Sequence, residues 1–254
     1  MLLEKNFGRL VVKVYENRQT MGEEAAKEAS GYIIEQLKIK EFLNIVFAAA
    51  PSQNEFLAAL AASEGIDWTR INAFHMDEYI GLPDDAPQGF GNFLKSAIFS
   101  KVPFRSVNYL NKSNLSPSEI CEKYTQLLLK YPVDIVMMGI GENGHIAFND
   151  PHVAMFNDLK MVKVVELDKT CRNQQVNDGC FASMDLVPMH AITLTVPTLM
   201  SANRLFCIVP GKLKAKAVKN TLTGSISEKC PATILRTHPS ATLYCDKDSA
   251  AFIG

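Results

Sequence analysis

Short apolar runs of strand type alternate with stretches of helical periodicity along almost the whole chain, and no other feature limits the fold as much. Strand candidates occupy residues 10–14, 43–49, 71–76, 133–138, 161–166, 191–195, 205–209 and 241–245. Between the first two, Ala26, Ala29, Ile33 and Leu37 recur at helical spacing. They follow Thr20-Met21-Gly22-Glu23, which has the form of a capping box: a hydroxyl at the N-cap and a carboxylate three residues on. Further helices are expected over 55–62, from Ser116-Pro117-Ser118-Glu119 to about residue 130, and over 212–222. Residues 133–138 are apolar at nearly every position, which suits a central parallel strand covered on both faces. The pattern predicts an α/β fold with a mostly parallel sheet and helices on both faces. No repeat, low-complexity tract or Pro/Gly/Ser-rich linker divides the sequence, so residues 1–254 are expected to form one domain.

Charge and cysteine usage narrow the setting. The formal net charge is -1, which gives no pull toward nucleic acid or an anionic membrane. No apolar run approaches the ~20 residues of a membrane span, and the first ten residues, with Glu4, Lys5 and Arg9, do not have the form of a leader. None of the six cysteines, Cys121, Cys171, Cys180, Cys207, Cys230 and Cys245, forms a C-x-x-C pair, so zinc spacing is absent. They read as reduced core thiols of a cytoplasmic protein.

In open parallel sheets, ligands bind beyond the carboxyl ends of the strands, and several strand ends here carry unusual residues. One runs into Asp77-Glu78-Tyr79. Adjacent carboxylates are poor core material; they mark either a solvated loop or an acid–base site, where partial burial raises a carboxyl pKa. Another runs into Gly139-Ile140-Gly141-Glu142-Asn143-Gly144-His145, followed by Ile146-Ala147-Phe148-Asn149-Asp150-Pro151. This contains G-x-G-x-x-G, but a dinucleotide fingerprint must open a helix, and here Asn149-Asp150-Pro151 follows within a turn or two. The glycines, Gly144 among them, instead let backbone approach a ligand closely. His145 is either a satisfied loop histidine or a proton carrier, with Asn143 and Asp150 near enough to orient it.

A third end, Ala50-Pro51-Ser52-Gln53-Asn54, precedes a helix. It offers either plain N-capping or a phosphate site built from backbone N–H groups and the Ser52 hydroxyl. Lys212, Lys214 and Lys216 open a further helix, where they form either a solvated face or the partner of an anion that offsets the helix dipole. Arg172 follows a strand in the same manner and is shaped to clamp a phosphate or carboxylate.

At these residues the sequence resembles the glucosamine-6-phosphate deaminase family. The matching segments are Phe74-His75-Met76-Asp77-Glu78-Tyr79-Ile80-Gly81-Leu82-Pro83, the run from Gly139 to Pro151, and His238-Pro239. The resemblance implies a Rossmann-like fold that binds no nucleotide, and conversion of glucosamine 6-phosphate to fructose 6-phosphate and ammonia with neither metal nor cofactor. By position it makes Asp77 the base that moves a proton between C2 and C1, and His145 the group that helps open the pyranose ring. Asn143 and Asp150 stand where the family has two acidic supporters of that histidine. Ala50, Ser52, Gly144, Arg172 and Lys214 fall at substrate and phosphate contacts. The resemblance also implies a homo-oligomer.

Three departures belong to the same picture. The family usually has aspartate where this chain has Asn143, and glutamate where it has Asp150. Its phosphate loop is usually rich in Gly and Thr, whereas here it reads Ala48-Ala49-Ala50-Pro51-Ser52-Gln53. The sequence therefore reads as a divergent paralogue. Rival readings are a sister activity on galactosamine 6-phosphate, a 6-phosphogluconolactonase-like hydrolase, and a sugar-phosphate sensor without catalysis. Ile146-Ala147-Phe148-Asn149 after the Gly-His pair favours the deaminase over the lactonase. Retention of Asp77 argues against a sensor.

Overall fold

The computed structural model describes residues 1–110 and 114–253. The chain begins with β1 (Leu3–Phe7), β2 (Leu10–Tyr15), α1 (Arg18–Ile39), β3 (Leu43–Phe47), α2 (Asn54–Ala61), β4 (Ile71–His75) and β5 (Asp77–Tyr79). It continues with α3 (Phe90–Leu94), β6 (Ser106–Asn108), α4 (Pro117–Lys130), β7 (Ile135–Met138), β8 (Val162–Glu166) and α5 (Lys169–Asn177). It ends with β9 (His190–Leu194), α6 (Val196–Met200), β10 (Arg204–Val209), α7 (Ala215–Thr223) and β11 (Ala241–Asp246).

Among the described residues, eight strands form one sheet in the order β1-β2-β11-β10-β7-β3-β4-β6. Only the β1–β2 edge pair is antiparallel; every other neighbouring pair is parallel. The period of two along each strand sorts side chains into two layers. Ile45 and Phe47 of β3 pack with Met21, Ile33 and Leu57 of α1 and α2. Val46, between them, packs on the other face with Tyr124, Leu128 and Val218 of α4 and α7. Helices thus cover both faces, as the apolar strand pattern predicts.

Two expectations need correction. The strands expected at 161–166 and 191–195 do not extend the large sheet. They form a separate antiparallel sheet in the order β5-β9-β8. The reason is legible in β8: Val164 and Glu166, on one face, are exposed while Val165, on the other, is buried, so one face is largely open to solvent, a condition that antiparallel sheets tolerate and parallel ones do not. The other correction concerns α1, which starts before the Thr20 capping box. Asn17 is its N-cap, accepting the Thr20 N–H at 2.9 Å, and asparagine caps at least as well as threonine. The helix start expected at Ser116 is formed, and it is a capping box: Ser116 and Glu119 exchange side chain-to-backbone hydrogen bonds at the start of α4.

Candidate active site

The loops after β3, β4, β7 and β10 converge on one cavity. Its lining includes Ala50, Ser52, Gln53, Asp77, Gly141, His145 and Lys214, with Phe90, Phe148, Gln174 and Gln175.

Asp77 is carried by β5, paired opposite Thr193 of β9. Its backbone carbonyl accepts the Nδ1–H of His75 at 3.0 Å. That proton assignment is forced, because His75 Nε2 accepts the Leu110 N–H at 2.8 Å. His75 is fully buried and its pKa is pushed down by that burial to about 4, so it stays neutral. The Asp77 carboxyl is buried too. Loss of hydration and then the neighbouring Glu78 charge hold its pKa well above the usual range, only partly opposed by the Phe148 N–H. This is the state a general base requires.

The adjacent carboxylate has another task. Glu78 accepts the N–H groups of Tyr79, Phe90 and Gly91 at 2.9, 3.0 and 2.8 Å. It thereby caps α3, whose own N-cap residue, Gly89, has no side chain to do so. Phe90 is fixed at the cavity and stacks on Phe148 with ring centroids 5.3 Å apart.

The glycines after β7 make room for His145. A β-carbon on Gly141 would come within 2.1 Å of the His145 ring. Gly144 adopts φ 84° and backs onto Cys230 rather than lining the cavity. Ala147, at the cavity wall, is held at φ 48°, a conformation that costs a non-glycine residue on the order of 1 kcal/mol or more.

His145 Nδ1 lies 2.8 Å from Asn143 Oδ1 and 3.0 Å from Asp150 Oδ1. The Asn143 amide nitrogen donates to Asp150 Oδ1 at 2.9 Å and to Asp168 Oδ2 at 3.0 Å. The amide oxygen is therefore the atom facing the ring, so Nδ1 carries a proton and Nε2 is left for exchange. Burial alone would raise the Asp150 pKa. The hydrogen bond and charge of His145, with the Asn143 amide and the Asp168 N–H, outweigh it and hold the group down at about 2. His145, Asp150 and Cys171 place one ligand atom each within 4.8 Å of the others. As a metal set they fit poorly: burial and the Asp150 charge keep the Cys171 thiol protonated, and the other two already share a proton.

Lys214 is buried at the N-cap of α7 and makes no ion pair within 4.0 Å among the described residues. Burial lowers its pKa, with Asp178 and Glu142 opposing. An anion would restore what it loses. Ser52 Oγ accepts from Gln53 Nε2 at 3.1 Å, while Gln53 Oε1 is buried without a partner. Arg172 is not part of the lining: its guanidinium donates to the Met184 and Val187 carbonyls at 2.7 and 2.8 Å, tying down the segment after α5. The expected clamp is thus turned to backbone acceptors.

Residues 16–244 match the family model described as glucosamine-6-phosphate isomerases/6-phosphogluconolactonase. The chain belongs to this family. A glucosamine-6-phosphate deaminase of Bacillus cereus (strain B4264) is 34% identical over 227 residues, 89% of this chain and 84% of that protein. A monomeric glucosamine-6-phosphate deaminase of known structure superposes with a TM-score of 0.83 at 29% identity, covering 94% of this chain and 98% of that one. The 6-phosphogluconolactonase of Thermotoga maritima shares the fold at 20% identity and a TM-score of 0.75, covering 93% of this chain and 99% of that one. The fold of the isomerase/lactonase family thus brings Asp77 and His145, 68 residues apart in sequence, to one cavity.

Three groups escaped the sequence reading. Asp168 presents only an N-cap signature before α5. Gln174 and Gln175 are polar residues on a helix and carry no motif. Phe90 reaches the cavity through the Glu78 cap, a contact 12 residues away.

Proposed function

We propose that the protein converts glucosamine 6-phosphate and water to fructose 6-phosphate and ammonia. One observation carries this reading: a buried carboxyl kept basic, a histidine with its outer nitrogen free, and a buried ammonium without an ion-pair partner among the described residues line one cavity. The family and the 34% identical deaminase support it.

In this mechanism Lys214, with Ser52 and the backbone near Ala50, holds the phosphate. Pro51 lacks an N–H, so fewer amide donors serve the anion here than a glycine-rich loop would supply. His145 Nε2 takes the proton from the C1 hydroxyl of the closed sugar and returns one to the ring oxygen as the C1–O5 bond breaks. Asn143 and Asp150 keep Nδ1–H in place throughout. The Asp77 carboxylate then removes the C2 proton, giving an enolamine, and delivers the proton to C1. The resulting imine at C2 takes up water and expels ammonia. Positioned acid–base groups of this kind contribute about 10²–10⁴-fold each.

Ammonia release from purified protein and glucosamine 6-phosphate, with Asp77→Asn as control, tests the reading. Release by the wild type alone supports it. Hydrolysis of 6-phosphogluconolactone without ammonia release from any amino-sugar phosphate would overturn it. Ammonia from galactosamine 6-phosphate alone would keep the chemistry and change the sugar.

We place the enzyme in the cytoplasm as a single-domain homo-oligomer. Six free cysteines fit a reducing compartment, and no helix among the described residues is long and apolar enough to cross a membrane. Leu129, Leu159 and Val164 form an exposed apolar patch suited to self-association. Sedimentation equilibrium decides this, and a monomer at micromolar concentration would remove the oligomer.

A further inference from the structure

Asn143 is bound on both sides of its amide. Its nitrogen faces two carboxylates, Asp150 Oδ1 at 2.9 Å and Asp168 Oδ2 at 3.0 Å. Its oxygen accepts the backbone N–H of His145 at 3.0 Å and faces ring Nδ1 at 2.8 Å. Asp168 in turn spends its other oxygen on the Cys171 N–H at 2.6 Å, as the N-cap of α5. A single carboxylate therefore starts a helix and engages the amide that holds the histidine.

Resting on the reading of His145 as the ring-opening group, we propose that Asp168 is a positioning residue for the reaction. Its Oδ2 fixes the Asn143 amide so that the oxygen, not the nitrogen, meets His145 Nδ1–H, and it adds a negative charge one hydrogen bond away from Asn143. This also explains why an amide stands at 143. A carboxylate there would face the oxygens of Asp150 and Asp168 at about hydrogen-bond distance with no proton between them, and like charges so close repel. The other ionisable groups around the ring are the Cys171 thiol, near both Asp150 and His145, and Asp77 and Lys214, which share its cavity.

The substitution Asp168→Asn separates the two tasks. An amide still caps α5 with its oxygen, but then sets N–H against the N–H of Asn143. Asn143→Asp places three carboxylates together. The double substitution restores one donor between the two positions and returns the carboxylate count to two. Each single change is expected to lower kcat for ammonia release from glucosamine 6-phosphate by about tenfold or more with KM nearly constant. The double variant is expected to recover to within about threefold of wild type, a coupling that independent structural damage does not produce. ¹⁵N shifts of the His145 ring should show the Nδ1–H form in the wild type and its partial loss in Asp168→Asn. Multiplicative effects of the two single changes would overturn the proposal. If the wild type released no ammonia, the functional reading would fail by itself, and an unchanged ¹⁵N pattern in Asp168→Asn would still overturn the role of Asp168.

Discussion

The imidazole of His145 lies directly against the α-carbon of Gly141, where an added β-carbon would sit 2.1 Å from Cε1 and 2.3 Å from Nδ1 and Nε2. Neither partner can yield cheaply, since His145 is held by Asn143 and Asp150 and the Gly141 N–H donates to the His145 carbonyl at 2.9 Å. Gly141→Ala should therefore displace the ring without touching Lys214. A fall in kcat of about 10²-fold or more, with KM for the sugar phosphate little changed, is expected from steady-state kinetics. An unchanged kcat would mean that the ring position does not limit the reaction.

Asp77→Asn should abolish turnover while leaving sugar-phosphate binding measurable by calorimetry. It also carries a stability signature. Burial raises the Asp77 pKa in the folded chain, so the native state holds its proton more firmly than the unfolded state. Folding is then weakened as pH rises above the usual aspartate value near 3.8, because the carboxyl ionises freely only in the unfolded chain. The variant should melt higher than wild type near neutral pH, and the difference should vanish below about pH 4. A variant that melts lower at neutral pH would contradict the buried-carboxyl account.

His75 supports Asp77 from beneath. Substituting leucine strands the Asp77 carbonyl and the Leu110 N–H inside the protein, each at a cost of about 1–3 kcal/mol. Urea unfolding should register a loss of that order. The pH dependence has the opposite sign to that of Asp77. With the His75 pKa moved from 6.5 to about 4, the unfolded state binds more protons in that window, and wild-type stability falls as pH drops through it. In His75→Leu that component of the slope should be missing.

Lys214→Ala should raise KM about tenfold or more with a smaller effect on kcat, since it removes binding shared by ground and transition states. Inorganic phosphate should inhibit the wild type competitively and this variant weakly. Equal inhibition of both would place the phosphate elsewhere.

Much of this site was legible in the sequence because its parts sit where strands end. Asp77, His145, Ser52 and Lys214 each follow an apolar run, and the parallel-sheet rule turns such positions into one crevice. The parts that escaped are those whose meaning is set by distant partners. Asp77–Tyr79 reads as a loop of charged residues, yet it is a buried strand because β9, over a hundred residues later, supplies its hydrogen bonds. Asp168 reads as an ordinary helix cap, and its link to Asn143 spans 25 residues. Arg172 reads as an anion clamp because guanidinium chemistry allows it. Only the fold reveals that one guanidinium nitrogen is given to two backbone carbonyls instead.

Asp77 and the residues proposed to hold the phosphate hang from different frameworks. Asp77 belongs to the three-stranded antiparallel sheet, whereas Ser52, His145 and Lys214 follow strands of the eight-stranded one. The His75 bond to the Asp77 carbonyl is a stitch between them. The carboxyl proposed for proton transfer is therefore separable by inheritance from the anchorage, with which His145 travels. Exchanging the small sheet between relatives, with His75 kept, would set the proposed base against a foreign set of proposed phosphate contacts, and selection can remodel one without rebuilding the other.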